Sequence, residues 1–156
     1  MKSYIHILVV SLVLYAPGAL ASDEAGRLLL KAVSKYDLNE VNTYIAQGAN
    51  LKLMNAEGDT ALIAAAASGN LDIVNALIAA GADVNARHGG YRDSNNYTAV
   101  MRAASGGHDA IVEALLKAGA KVTDRDQNYI EHNMPMLKPA ILERIRAWRE
   151  DQSLAQ

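Results

Sequence analysis

A four-residue pattern that recurs along the chain constrains its fold more than any other feature of the sequence. Gly-Ala-Asn-Leu begins at Gly48, Gly-Ala-Asp-Val at Gly81 and Gly-Ala-Lys-Val at Gly119, so the glycines stand 33 and 38 residues apart. A period of this length is typical of a solenoid, in which each repeat is one small supersecondary unit that packs on its neighbours. We therefore expect one domain built from stacked, similar units.

Each of these glycines follows a run of apolar residues at helical spacing. The runs begin at Leu38, Leu71 and Ala110, and we expect them to be the second helices of helix pairs. The glycines end these helices in the left-handed conformation. First helices are predicted at 25–35, 60–68 and 98–105. Residues suited to cap the helix starts are Asp37, Thr60, Asn70, Thr98 and either Asp109 or its neighbour His108.

The segment from Gly58 to Ala86 resembles one nearly complete ankyrin repeat. The residues that carry the resemblance are Gly-Asp-Thr-Ala-Leu at 58–62, Ala-Ala at 65–66, Gly-Asn at 69–70, Ile-Val at 73–74, Leu-Ile at 77–78 and Gly-Ala-Asp-Val-Asn-Ala at 81–86. Residues 98–123 resemble a second repeat and 27–53 a degenerate first one. The resemblance implies an all-α, ankyrin-repeat solenoid of stacked helix pairs joined by β-turn fingers. It also implies binding of a protein partner through the fingers and the concave groove.

The N-terminus carries a separate signal. Lys2 gives a positive start, residues 5–16 are mostly apolar, and Ala-Leu-Ala at 19–21 precedes Ser22. This is the pattern of a secretory signal peptide over residues 1–21. Its apolar stretch of 12 residues is shorter than the roughly 20 that a membrane-spanning helix needs. We therefore predict an exported protein, periplasmic or secreted, without a permanent membrane anchor.

The remaining residues, 22–156, are predicted to form a single domain. Its repeats are expected at about 24–57, 58–92 and 93–126, with a C-terminal cap at about 127–156 that holds a helix over 138–151. The stacked face of this helix is apolar and the opposite face mixes acidic and basic residues, which is typical of a solvated surface.

Composition and spacing argue against several classes of function. The chain has no Cys, which excludes disulfides and cysteine chemistry, and its net charge of −2 provides no electrostatic footprint for nucleic acid. The acids at 124 and 126 begin like a calcium loop, but Tyr129 and Pro135 replace its essential Gly and Glu. Ser105 and His108 lack a carboxylate placed to form a triad. We expect no enzyme, metal site or cofactor.

The second finger carries the strongest signal for binding. It spans 17 residues from Gly81 to Thr98, whereas the first spans 12 from Gly48 to Thr60, and the extra five are residues 88–92. Tyr, Arg, Asn and Gly dominate the whole segment 87–97, as they do in paratopes. A surface insertion without function is the alternative, because loops accept extra residues at little cost. Asn96 takes the place of a finger glycine and is expected at positive φ.

The predicted contact surface joins this finger to its neighbours. The alignment places Asp126 opposite Asn55, at the turn of a third finger. The predicted partner-binding residues are Arg87, His88, Tyr91, Arg92, Asn95 and Tyr97 in the second finger, Glu57 and Asp59 in the first, and Tyr129 and Ile130 in the third. The groove positions beside them, Ala67, Ser68, Ser105 and Gly106, are all small.

These observations predict a non-catalytic protein-interaction scaffold. An inhibitor or immunity protein and a helper of an envelope or stress enzyme fit the sequence equally well. The alternative is a structural module that self-associates through the apolar residues Met134, Met136 and Leu137, although a homo-oligomer is not the expectation.

Overall fold

The computed structural model describes residues 21–89, 96–133 and 139–154, and these form a stack of helix pairs. The helices are α1 (Ser22–Ser34), α2 (Leu38–Ala46), α3 (Ala61–Ser68), α4 (Leu71–Ala79), α5 (Ala99–Ser105), α6 (Asp109–Lys117), α7 (Asp124–Asn133) and α8 (Pro139–Leu154). β-Structure in the described residues is limited to two isolated bridges, Met54 with Thr60 and Arg87 with Thr98. The predicted all-α repeat fold is confirmed.

The helices stack in two rows. First helices α1, α3, α5 and α7 pack on one another in order, and second helices α2, α4, α6 and α8 do the same. The described residues therefore contain four helix pairs, where the sequence predicted three repeats followed by one capping helix. Within those residues no helix combines the length and the apolar character needed to cross a membrane.

The prediction of a third finger at Asp126 is wrong, because the chain enters α7 only five residues after Gly119. A reciprocal cap starts this helix: the Thr123 hydroxyl accepts from the Asp126 amide at 3.2 Å, and the Asp126 carboxylate accepts from the Thr123 amide at 3.0 Å. This capping box satisfies two amide donors that the helix start leaves unpaired. A Thr followed three residues later by Asp was the signal in the sequence.

Alanines hold the middle of the stack together. Ala65 and Ala66 of α3 and Ala103 and Ala104 of α5 are fully buried, and these two helices pack on each other. Small side chains let the two helix backbones approach closely. The larger core side chains come from both rows of helices, for example Leu62 of α3 and Leu115 of α6. A chain without Phe can therefore still build a continuous core.

The predicted helix ends are largely confirmed. Asp37, Asn70, Thr60 and Thr98 each cap a helix with a side-chain oxygen. The repeat glycines at 48, 81 and 119 have φ between 78° and 89°, and Asn96 has φ 46°. His108 occupies the cap position of α6 without a side-chain capping bond. Its ring instead lies over the backbone of Gly106, where an added Cβ would fall 2.4 Å from Nε2.

Candidate partner-binding site

Backbone hydrogen bonds fix the base of the second finger. The amide of His88 donates to the carbonyl of Tyr97 at 2.8 Å, which closes the finger beside the bridge between Arg87 and Thr98. The next amide, that of Gly89, donates to the carbonyl of Gly58 in the first finger at 2.9 Å. The two fingers are thus joined directly. Three predicted contact residues, Tyr91, Arg92 and Asn95, lie outside the described residues.

A buried acid–base cluster reinforces this join. Nδ1 of His88 lies 2.8 Å from Oδ1 of Asp59, and Nη2 of Arg102 donates to Oδ2 of the same carboxylate at 3.4 Å. The side chains of His88 and Asp59 are only 6% and 4% exposed. Burying a carboxylate is costly unless it is paired and hydrogen-bonded. The expectation that His88 and Asp59 contact a partner directly is therefore wrong, because both side chains are buried against each other and hold the base of the finger in place.

Aromatic rings extend the cluster toward the C-terminal helices. The guanidinium of Arg102 lies 4.7 Å from the centre of the Tyr97 ring, within cation–π range. The Tyr97 ring meets the Tyr129 ring edge to face at 5.5 Å, and the two hydroxyl oxygens are 2.7 Å apart. Both tyrosines are half-buried, so each can present only part of its surface to a partner.

A bidentate ion pair braces the other side of the finger. Arg87 donates to the two carboxylate oxygens of Asp126 at 3.1 and 3.0 Å, and also to the carbonyl of Asn96 at 3.1 Å. Burial alone would raise the pKa of Asp126, but hydrogen bonds from Arg87 and Thr123 outweigh it and hold that pKa below its usual value. The sequence predicted Arg87 as a contact residue but missed this partner, because Asp126 was misplaced in a finger.

The remaining predicted residues divide between surface and core. Glu57 is exposed on the first finger, where its amide donates to the side chain of Asn55. Ile130 is fully buried, so its predicted contact with a partner is wrong. It lies on the inner side of α7, which forms where a third finger was expected.

The four residues predicted to line the groove beside the fingers are all accessible to solvent. Ala67, Ser105 and Gly106 are exposed and Ser68 is half-buried. The hydroxyls of the two serines donate to carbonyls of their own helices. These positions therefore present backbone and small side chains to a partner.

The acids of the rejected calcium loop are also engaged within the protein. Asp124 pairs with Arg149 of α8, and Asp126 pairs with Arg87. Both acids lie in the first turn of α7. Across the described residues, no group of three or more His, Asp or Glu side chains is placed to hold a metal ion.

Comparison with known proteins agrees with the architecture. A protein-family model described as ankyrin repeats, in three copies, matches residues 29–126, which is more than half of the chain. The fourth helix pair lies beyond this match, except for the first turn of α7. No curated protein matches the chain closely enough to count as a relative.

Proposed function

The chain belongs to the ankyrin-repeat family, whose repeats are generally protein–protein interaction modules, and we propose that it is an exported binding protein that holds a protein partner. Its contact surface is the outer part of the second finger, together with Glu57 of the first finger and the adjoining groove. No catalytic step is part of the proposed function.

The double bracing of the second finger is the observation that supports this proposal best. His88 ties the finger base to Asp59 on one side, and Arg87 ties it to Asp126 on the other. An insertion without function needs no such support, because loops tolerate extra residues cheaply. A fixed base lowers the entropy lost on binding, which is the general advantage of a preorganised recognition loop.

Export is part of the proposal and rests on the sequence pattern at residues 1–21. The mass of the protein recovered from the envelope fraction of cells tests it. We expect a chain that begins at Ser22. A full-length chain confined to the cytoplasm would contradict export without touching the binding proposal.

The contact surface is tested with purified protein and envelope extract. Residues Tyr91 and Arg92 are changed to Ala together, and Tyr97 is left unchanged because its ring supports Arg102. The matched control changes Asn42 and Asn75, two exposed residues of second helices, to Ala. We expect the control to capture the same protein as the parent and the finger variant to lose it at an unchanged melting temperature.

Two results would contradict the proposed surface. Capture of the same protein by the finger variant would move the site away from the second finger. A stable dimer in light scattering that neither variant disturbs, with no protein captured, would favour the self-associating module. Once a partner is captured, its activity with and without the protein separates an inhibitor, which lowers it, from a helper, which preserves it.

A further inference from the structure

A cleft on the row of second helices lies away from both fingers. It forms between α6 and α8, is open to solvent, has a volume of about 380 Å³ and has Leu116, Ala147 and Trp148 among its lining residues. This volume falls within the range of small-molecule sites, about 300–1,000 Å³. The partner-binding surface described above shares none of these residues, so a ligand in this cleft is independent of the proposed function.

The cleft lies toward the C-terminal end of α6. The two helices start level, since Asp109 and Val112 of α6 border Ala140 and Ile141 of α8. α6 has 9 residues and α8 has 16, which correspond to lengths of about 14 and 24 Å. The last turns of α8 therefore run past the end of α6 at Lys117. Trp148 and Asp151 lie at the start of this overhang, whereas Leu116 and Ala147 line the cleft where the two helices still run side by side.

The charges at the rim are separated along the cleft, with both cations where the two helices meet. The carboxylate of Glu113 forms ion pairs with two cations, Lys117 at 2.7 Å and Arg144 at 3.1 Å. Lys117 lowers the pKa of Glu113, with a further contribution from Arg144, so this acid is ionised and the three groups carry a net positive charge. The cations keep unused donors toward solvent, because their side chains are 71% and 49% exposed. Asp151 lines the far side and carries the opposite charge.

We propose that this cleft binds a small amphipathic acid, with its apolar body against Leu116, Ala147 and Trp148 and its carboxylate beside Lys117 and Arg144. Asp151 sets the orientation, because it repels the acid group from the far end. The apolar residues bury the body of the ligand, and Lys117 and Arg144 favour a negatively charged group at one end.

Trp148 gives a direct readout because it is the only Trp of the chain. The probes are 4-phenylbutyrate, 4-phenylbutanol and 4-phenylbutylamine, which share one apolar body and differ in charge. We expect a saturable change in Trp148 fluorescence with the acid. A dissociation constant on the order of 1 mM is appropriate for a ligand of about a dozen non-hydrogen atoms. The alcohol binds more weakly, by about twofold to fivefold, the scale of an exposed ion pair. The amine can pair only with Asp151, so its binding does not depend on Lys117 or Arg144.

Variants separate a site from general adsorption. Ala147→Leu fills the cleft and abolishes the response, whereas Ala46→Leu, the same change at an exposed position of α2, leaves it intact. Arg144→Gln and Lys117→Gln each weaken binding of the acid and leave the alcohol unchanged, and Glu113→Gln strengthens binding of the acid. Melting curves confirm that each variant is folded.

The proposal is overturned by any of three results. These are no saturable response to the acid, equal affinity for the acid and the alcohol, or an undiminished response in folded Ala147→Leu.

Discussion

Arg87 and Asp126, which are 39 residues apart in the chain, form a bidentate ion pair that joins the second finger to the first turn of α7. The Asp126 side chain is almost completely buried, with 2% exposed, whereas the Arg87 side chain is 33% exposed. The pair occupies the place where a regular array would have another finger. It therefore supports the finger and the start of the last helix pair together.

Arg87→Ala is expected to destabilise the protein by about 2–3 kcal/mol, because it leaves a buried carboxylate with only its capping hydrogen bonds. This is below the cost of breaking a fully buried pair, since water reaches the guanidinium. Urea unfolding of parent and variant measures the change. Arg27→Ala, at an exposed position of α1, is the control and should stay within about 0.5 kcal/mol of the parent. Equal effects of the two substitutions would show that the ion pair contributes nothing.

The same carboxylate predicts a loss of stability in acid. Its pKa in the folded protein lies below the usual value, which for Asp is about 3.9. Its contribution is therefore complete above that value and is lost as the pH falls through the lower, folded pKa. Asp126→Asn is expected to be less stable than the parent at pH 7, by a difference that shrinks as the pH falls from about 5 to 2. Unfolding free energies across this range test the prediction, and a constant difference would contradict it.

The His108 ring over Gly106 predicts a compensating pair of substitutions. Gly106 has φ −81°, which any residue adopts, so only the 2.4 Å approach of an added Cβ to the ring opposes a side chain there. Gly106→Ala should cost about 1–2 kcal/mol, the scale of local overpacking. Adding His108→Ala removes the obstacle, so the double variant should lose less stability than the sum of the single changes. Strict additivity in a double-mutant cycle would show that the ring is not the obstacle.

Tyr36 is a large residue at a position where the backbone conformation favours glycine. It has φ 60°, and the corresponding positions between the helices of the next two pairs are Gly69 and Gly107, with φ 77° and 70°. Tyr36→Gly is expected to stabilise the protein by about 0.5–1 kcal/mol, because relief of backbone strain exceeds the added flexibility of the unfolded chain. Lys35→Gly, at a right-handed position next to it, should be destabilising. Thermal melts of the two variants should move in opposite directions.

The sequence predicted the regular parts of the fold well because short-range signals determine them. Asp37 and Asn70 precede their helices in the sequence and cap them in the structure. The third finger was predicted in the wrong place because that prediction also relied on a short-range signal. Asp126 resembles a finger residue by alignment, and only its pairing with Thr123 shows that it begins a helix.

The candidate site was predicted less completely than the fold. The sequence selected Asp59 and His88 as polar residues of two fingers, but it could not show that they face each other across 29 residues. Burial depends on how neighbouring repeats stack, and that is a property of several segments at once. Side chains that look like contact residues in a loop can therefore be the internal support of that loop.

The direct passage from Gly119 into α7 makes the two ends of the proposed recognition face unlike. Fingers stand over the first half of the groove, while bare helices border the second half. A partner that follows the groove would thus meet the fingers at one end and helices without a finger at the other. If a partner binds along this face, as proposed, we expect the difference between the two ends to favour one direction of the bound segment over its reversal.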